Sequence, residues 1–212
     1  MLNTHKLLRI AITSSALVAL CATQLIAHAE TVSITGNIQG ETCVLRVFGD
    51  PGEIRSKNLP LPLGDFSLTT LSDTAAAGSV FGERRHLLFF LANQDGSFCT
   101  FRNGASGWDI SIAPAKSGYI TTINGATFLS NMVSLADGGT NAVVKLSGND
   151  GSTFNQISLT EAGSYVSSPS APFKTPFDIS ISLFAQFAFP VANQKPTSGV
   201  YSSTLTFAVT YR

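Results

Sequence analysis

The chain has 212 residues, and its thirteen Lys and Arg residues balance thirteen Asp and Glu residues. This balance leaves no surplus of positive charge of the kind that marks nucleic-acid-binding proteins. High apolar content with little charge excludes a disordered chain and is typical of a globular protein, of one domain or two small ones at this length.

The first 29 residues predict a secretory signal peptide. Lys6 and Arg9 form a positive start, residues 10–26 are mostly apolar with no acidic residue, and Ala27-His28-Ala29 matches an A-x-A cleavage site. An uncleaved membrane anchor is the alternative, but polar residues interrupt the apolar run, which is short for a span. We therefore expect an exported mature chain that begins directly after Ala29.

Residues 30–40 alternate between apolar and polar side chains, which predicts a β-strand. One face of this strand carries Val32, Ile34, Gly36 and Ile38. A glycine weakens a strand and packs nothing, so Gly36 indicates that another backbone or a bulky side chain must come close.

Two cysteines, Cys43 and Cys99, follow the predicted signal peptide. An even pair in an exported chain predicts a disulfide, and the loop-entropy model gives such a bond a stabilising effect of roughly 4 kcal/mol. No CxxC spacing exists, and His86 is the one histidine after the signal peptide, so we expect no metal site. His86 stands beside two arginines, and we interpret it as a solvated strand end.

Catalytic motifs are missing from the sequence. It contains no GxSxG, no HExxH and no Gly-rich phosphate loop. We therefore expect neither an enzyme nor a cofactor, and a hydrolase remains an alternative only through residues that no motif marks.

Short apolar or alternating segments follow one another along the chain, and Asn-Gly and Asp-Gly turns separate several of them. They predict strands at residues 42–47, 84–91, 108–113, 119–123, 127–129, 142–146, 156–159 and 177–190. Residues 72–82 and the Ser- and Pro-rich residues 164–176 predict loops. No segment shows a helical period, so the pattern predicts an all-β protein, an immunoglobulin-like β-sandwich.

Residues 199–212 predict one long strand. Gly199 begins it after a turn-rich segment, and the bulky side chains all have odd numbers: Tyr201, Leu205, Phe207, Val209 and Tyr211. A long apolar strand with an uncovered edge is an aggregation hazard, so this strand needs a partner.

Both ends of the chain resemble chaperone–usher pilins, the subunits of type 1-like fimbriae, and look most like the minor pilins. That family ends in an alternating strand with a penultimate tyrosine, here Tyr211, and a glycine fourteen places from the end, here Gly199. Its N-terminal extension carries a glycine seven residues before the first cysteine, matching Gly36 and Cys43. The resemblance covers the chain after the signal peptide and is strongest at its termini and cysteines.

The resemblance implies an incomplete immunoglobulin-like β-sandwich, the pilin fold, with an N-terminal donor-strand extension. The implied parts are a signal peptide at 1–29, the extension at 30–40 and the pilin domain at 41–212. Such a domain lacks its seventh strand, which leaves a hydrophobic groove beside its last strand. A periplasmic chaperone lends a strand to the groove, and at the outer-membrane usher the extension of the next subunit replaces it by β-augmentation.

Residue roles follow from the same resemblance. The implied donor-strand residues are Val32, Ile34, Gly36 and Ile38. The implied residues of the strand that the chaperone and the acceptor groove use are Gly199, Leu205, Phe207, Val209, Tyr211 and Arg212. The alternative for residues 30–40 is an ordinary first strand within the sheet of its own chain.

The implied function is that of a structural subunit in an adhesive fimbria, exported through the periplasm to the bacterial cell surface. Its partners would be the chaperone, the usher, neighbouring subunits in a head-to-tail polymer and an unidentified host receptor, with no nucleic acid. One alternative is a single-domain adhesin or lectin at the fimbrial tip, in which Trp108, Tyr119 or Tyr165 could stack on a sugar. Another is a secreted pilin of the archaic spore-coat-U-like branch.

Overall fold

A computed structural model describes residues 26–27, 29–37, 43–49, 52–54, 59–97, 99, 107–149, 154–168 and 180–211. These ranges form an all-β fold, as predicted, with two single-turn 3₁₀ segments at Leu68–Thr70 and Leu135–Asp137. The strands are β1 Ile26–Ala27, β2 Ala29–Asn37, β3 Val44–Gly49, β4 Gly52–Ile54, β5 Leu59–Leu61, β6 Phe66–Ser67, β7 Val80–Ala92, β8 Trp108–Pro114, β9 Ile120–Ile123, β10 Ala126–Leu129, β11 Val143–Asn149, β12 Phe154–Gln156, β13 Ser164–Ser167, β14 Ile181–Ala188 and β15 Tyr201–Tyr211.

The larger sheet is antiparallel. Its strand order is β4-β3-β7-β14-β11-β10-β9, and β12 also pairs with β11. Strand β14 shows how the sequence builds it: Ile181, Leu183, Ala185 and Phe187 are buried, and the residues between them are half-buried. This is the period of two that a strand imposes on its two faces.

The second sheet has the order β13-β8-β15-β2-β5. Its pairs are antiparallel except that of β15 with β2, which is parallel. The short strand β1 pairs separately with β6. Most of the predicted signal peptide, residues 1–25 and 28, lies outside the described residues. Cleavage after Ala29 would remove β1 and would cut the chain at the first residue of β2.

The two sheets pack their apolar faces against each other, which is consistent with a β-sandwich. Phe89 of the larger sheet meets Phe207 of the second sheet edge to face, with ring centroids 5.6 Å apart. Phe187 meets Tyr201 in the same way at 5.3 Å. Trp108 is fully buried in this core. Such aromatic contacts add to the free energy gained by removing apolar surface from water.

Several segments differ from the sequence prediction. The predicted strand at residues 156–159 is instead β12 at Phe154–Gln156, and residues 157–159 lie outside a strand. Ser164–Ser167 was predicted as loop but forms β13, because it pairs with residues 109–112 of β8.

Strand β7 begins at Val80 rather than residue 84, because Val80 and Phe81 pair with the end of β14. The register shifts between the Ala185–Arg85 pair and the Phe187–Phe81 pair. Gly82 lies within this irregularity and has φ of +69°, which favours glycine.

The predicted disulfide is confirmed. Cys43, directly before β3, is bonded to Cys99, which follows β7, with their Cα atoms 5.7 Å apart. The bond closes a loop with a sequence separation of 56, and Cys99 is fully buried. It therefore fixes the chain just after residues 30–40 to the core of the larger sheet.

We expect the double variant Cys43→Ser, Cys99→Ser to have a free energy of unfolding about 2–5 kcal/mol below that of the parent chain, because the unfolded state gains loop entropy. Urea denaturation followed by tryptophan fluorescence measures this, since Trp108 is buried. The parent chain under reducing conditions is the matched control and should approach the double variant. Equal urea midpoints for the oxidised parent chain and the double variant would contradict a stabilising role for the disulfide.

Candidate functional site between the terminal strand and β5

The terminal strand β15 is built as its alternation predicts. Tyr201, Ser203 and Leu205 are buried, whereas Phe207, Val209 and Tyr211 are partly buried and pack against the same core. On one side β15 runs antiparallel to β8, from Leu205 beside Pro114 to Tyr211 beside Trp108. Arg212, a predicted site residue, lies outside the described residues.

Strand β2 lies on the other side of β15 and belongs to the same chain. The two strands run parallel, with Val32 beside Ser203, Ile34 beside Leu205 and Gly36 beside Phe207. The described chain therefore has residues 29–37 as a strand of its own sheet, which is the alternative that the sequence left open. Ile38 lies outside the described residues.

Strand β2 also pairs with β5, so it fills a gap between two strands. The second pairing is antiparallel and places Val32 beside Leu61 and Ile34 beside Leu59. Neighbouring strands are about 4.8 Å apart, so β15 and β5 stand roughly 10 Å apart with β2 between them. We call the space between β15 and β5 that β2 fills the acceptor groove.

Apolar side chains flank the acceptor groove. Leu205 on β15 is 2% exposed, and Leu61 at the end of β5 and Leu63 just after it are each 2% exposed. Without a strand in the groove, the backbone N–H and C=O groups of β15 on that side would lose their sheet partners, and unpaired backbone groups in a buried setting are costly. The groove therefore requires an occupant.

Gly199 has a local structural reason as well as its place in the family pattern. Its φ is +152°, and a Cβ atom there would lie 2.5 Å from both the carbonyl oxygen of Gly138 and the carbonyl carbon of Gly139. The adjacent Val200 N–H donates to the Gly138 carbonyl at 2.9 Å, and the Thr140 N–H donates to the Val200 carbonyl at 3.0 Å. Gly199 thus lets the start of β15 lie directly against the 138–140 loop.

Sequence reasoning missed Asn131, which holds the same end of β15. Its side-chain amide donates to the carbonyls of Val200 at 2.7 Å and Thr140 at 2.9 Å. Its side-chain oxygen accepts from the N–H groups of Ser202 at 2.9 Å and Val133 at 3.0 Å. An asparagine between two strands looks like any turn residue in a sequence, so only the fold shows this role.

Two tyrosines mark the ends of β15. The buried Tyr201 hydroxyl donates to the carbonyl of Leu129 at 3.0 Å, and burial raises the pKa of Tyr201 far above its usual range. Burial also raises the pKa of Tyr211. The Tyr201 hydroxyl thus ties the start of β15 to the end of β10, and Tyr211 packs partly buried against the core.

The other candidate residues do not join this site. His86 lies within β7 rather than at a solvated strand end: its ring stacks on Phe184 with centroids 4.5 Å apart, and its Nε2 lies 3.1 Å from the Ser182 hydroxyl. Trp108 is fully buried and so cannot stack on a sugar. In the described part of the chain, no three His, Cys, Asp or Glu residues are grouped so that they could hold a metal ion.

A scan against protein-family models gives no match for this chain, and a search of curated proteins gives none. None of the described elements is a helix with the length and apolar character needed to cross a membrane. What the geometry offers chemically is a strand-shaped groove that main-chain hydrogen bonds and alternate side chains can occupy.

We expect Gly199→Ala to lower the free energy of unfolding by about 1–3 kcal/mol, because the added methyl group meets backbone atoms that cannot rotate away. Chemical denaturation measures the change. Gly118→Ala is the matched control: Gly118 has φ of +84°, but a Cβ atom there meets nothing within 4 Å. A loss at Gly199 no larger than that at Gly118 would contradict the steric role.

Proposed function

We propose that this protein is a structural subunit of an adhesive surface fimbria, with an incomplete immunoglobulin-like sandwich of the pilin type. In this proposal the acceptor groove takes a strand from another molecule, and residues 30–40 serve as the donor for a neighbour. The observation that carries the proposal is the position of β2 between β15 and β5. One segment, next to the predicted cleavage site, supplies the strand that the rest of its sheet lacks.

The ladders that hold β2 are short and irregular, so another strand can replace it. Parallel pairs are slightly less stable per residue than antiparallel ones, and the β15–β2 ladder is interrupted between Tyr201 and Ser203. On the other side β5 spans three residues, and Pro60, which lies beside Ser33, has no N–H to donate. An incoming strand therefore competes with a short and irregular ladder.

Release of β2 leaves the larger sheet and the β13-β8-β15 part of the smaller sheet paired, whereas β5 loses its partner in the smaller sheet. The described strand pairings of β2 are with β15 and β5, whereas the disulfide joins the following segment to the larger sheet. The aromatic contacts between the sheets, such as Phe89 with Phe207, use residues outside β2. The domain can thus exchange one strand while its core stays packed.

The same segment provides enough binding free energy to hold a polymer together. Burying Val32, Ile34 and Ile38 in a neighbour's groove contributes roughly 1.5–3 kcal/mol per side chain, and each ladder hydrogen bond adds about 0.5–1.5 kcal/mol. A contact in which one end of a molecule fills the groove of the next does not close on itself, so it extends into a filament. A periplasmic chaperone and an outer-membrane usher are the proposed partners that hold and exchange the strand.

A variant lacking residues 30–40 tests whether the groove accepts a strand from outside. We expect it to be poorly soluble alone, because β15 and β5 become open edges, and to become soluble when a synthetic peptide of residues 30–40 is added. Size-exclusion chromatography and peptide fluorescence anisotropy measure both effects. A peptide with Ile34→Asp is the matched control and should bind at least about 10-fold more weakly, since a buried unpaired charge is costly.

The intact chain decides between an exchangeable strand and a permanent one. Labelled 30–40 peptide should displace β2 from the intact mature chain over time, and the chain should form head-to-tail oligomers. A chain that stays monomeric and takes up no peptide, even when partially destabilised by denaturant, would show that β2 is a permanent first strand and would overturn the proposal.

We expect Gly36→Ile in the peptide to weaken its binding about 10-fold or more, because Gly36 takes the register position beside Phe207, whose ring already packs on Phe89. Competition against labelled parent peptide measures the affinity. Gly36→Ala should lose less, and equal binding of all three peptides would show that this position imposes no steric limit.

A further inference from the structure

A second concave site lies at the opposite end of the smaller sheet from β5. It is a cleft of about 460 Å³ between the edge strand β13 and the segment that begins with β12. We call it the β12–β13 cleft. Its volume is within the range of roughly 300–1,000 Å³ that small-molecule sites have. Residues on its walls include Gln156, Ser158, Thr160, Ser164, Tyr165 and Ser167.

The cleft combines polar and apolar groups. Hydroxyl and amide groups lie beside Ile157 and Val166, and none of the described lining residues is Asp, Glu, Lys, Arg or His. Glu161 belongs to the same loop, but its carboxylate accepts a hydrogen bond from the Gly118 N–H at 3.0 Å. Such walls suit a neutral ligand rich in hydroxyl groups and offer an ion no opposite charge.

Hydrogen bonds within the loop hold the wall of the cleft in shape. The Ser164 hydroxyl donates to the Ser158 carbonyl at 2.5 Å and accepts from the Thr160 N–H at 3.0 Å. The Thr160 hydroxyl donates to the Gly163 carbonyl at 2.8 Å. On the other side, the Gln156 amide donates to the Thr127 carbonyl at 2.8 Å, which fixes its orientation. A wall ordered in advance loses little entropy when a ligand binds.

Tyr165 is the aromatic residue among the described lining residues of the cleft. The residue is 69% exposed, although the neighbouring Val166 packs against the core. Of the three aromatic residues that the sequence suggested for sugar stacking, Trp108 is fully buried and Tyr119 is half-buried. An exposed tyrosine ring presents an apolar face beside a polar tip, which matches the C–H face and hydroxyl rim of a sugar ring.

We propose that the β12–β13 cleft binds a neutral saccharide unit, with the Tyr165 ring stacked on the sugar and the serine, threonine and glutamine groups contacting its hydroxyls. The site stands apart from the acceptor groove, since β13 and β5 are at opposite ends of one sheet. It would give a fibre subunit a receptor-binding surface that strand exchange leaves uncovered.

Titration of the ¹⁵N-labelled mature protein tests the proposal by NMR. The probes are D-galactose, D-mannose, N-acetyl-D-glucosamine and lactose, with N-acetylneuraminic acid as the charged comparison. At least one neutral probe should shift the amide resonances of residues 156–167, with a dissociation constant of about 1 mM, near the weak end of specific binding. No shift with any of the four neutral sugars, or a preference for the acidic one, would overturn the proposal.

Two variants of Tyr165 test whether its aromatic ring contacts the sugar. Tyr165→Ala should weaken binding by about 3- to 10-fold, the scale of one aromatic contact, whereas Tyr165→Phe should keep most of the affinity. Val191→Ala is the control, because Val191 is also an exposed apolar residue, at 47%, but lies outside the cleft. Equal binding by Tyr165→Ala and the parent would overturn the proposal, as would shifts that map outside the cleft.

The same titration distinguishes this site from the proposed strand exchange. It reports on a cleft formed by β12 and β13 within one chain and needs neither chaperone nor strand exchange, so a negative result does not bear on the acceptor groove. Binding of an extended peptide along the edge of β13, with no response to any sugar, would assign the cleft to protein recognition and overturn the saccharide assignment.

Discussion

The pairing of β2 with β15 is the contact on which the closed form of this fold depends. It joins the first long strand of the described chain to the last one, and it places β2 between two strands that otherwise end their sheet. The groove that it fills is lined by leucines that are almost fully buried. Because the closing piece comes from the chain's N-terminal side, the completeness of the sandwich depends on where that one segment lies.

Several contacts outside β2 hold the β15 wall of this groove in place. Asn131 and Gly199 fix the start of β15, and Tyr201 anchors it to the end of β10. The disulfide at Cys43 and Cys99 holds the point from which β2 departs. The β15 wall of the groove is therefore held by contacts that do not involve β2, and this separation of wall and occupant supports the proposed strand exchange.

The sequence predicted the positions of the long strands and the disulfide better than it predicted which strands pair. Strict alternation identified β2 and β15, and the even cysteine pair identified the disulfide, because these signals are local or depend on composition. Alternation does not say in which direction or with which molecule a strand pairs, so the parallel β2–β15 ladder could not be read from it. Strand β13 was missed because serine and proline suggest a loop, whereas pairing with β8 decided the outcome.

The structural roles that the sequence did not predict depend on contacts between segments that are far apart in the sequence. The Asn131 side chain makes four hydrogen bonds to backbone groups. Those of Val200 and Ser202 are about 70 residues away along the chain, and those of Val133 and Thr140 are closer. The irregularity at Gly82 in β7 depends on pairing with β14. The roles of Asn131 and Gly82 produce no alternating sequence pattern, so they can be identified only when the pairing of the strands is known.

The predicted cleavage site after Ala29 falls at the first residue of a strand, which would order cleavage relative to folding. Ala29 is the first residue of β2 and takes the register position beside Tyr201. A peptidase needs its substrate as a free, extended backbone, and a strand already hydrogen-bonded inside a sheet is shielded from it. If the predicted leader is removed after Ala29, its removal would have to precede docking of this segment, and maturation of the N-terminus would then be coupled to the final step of folding.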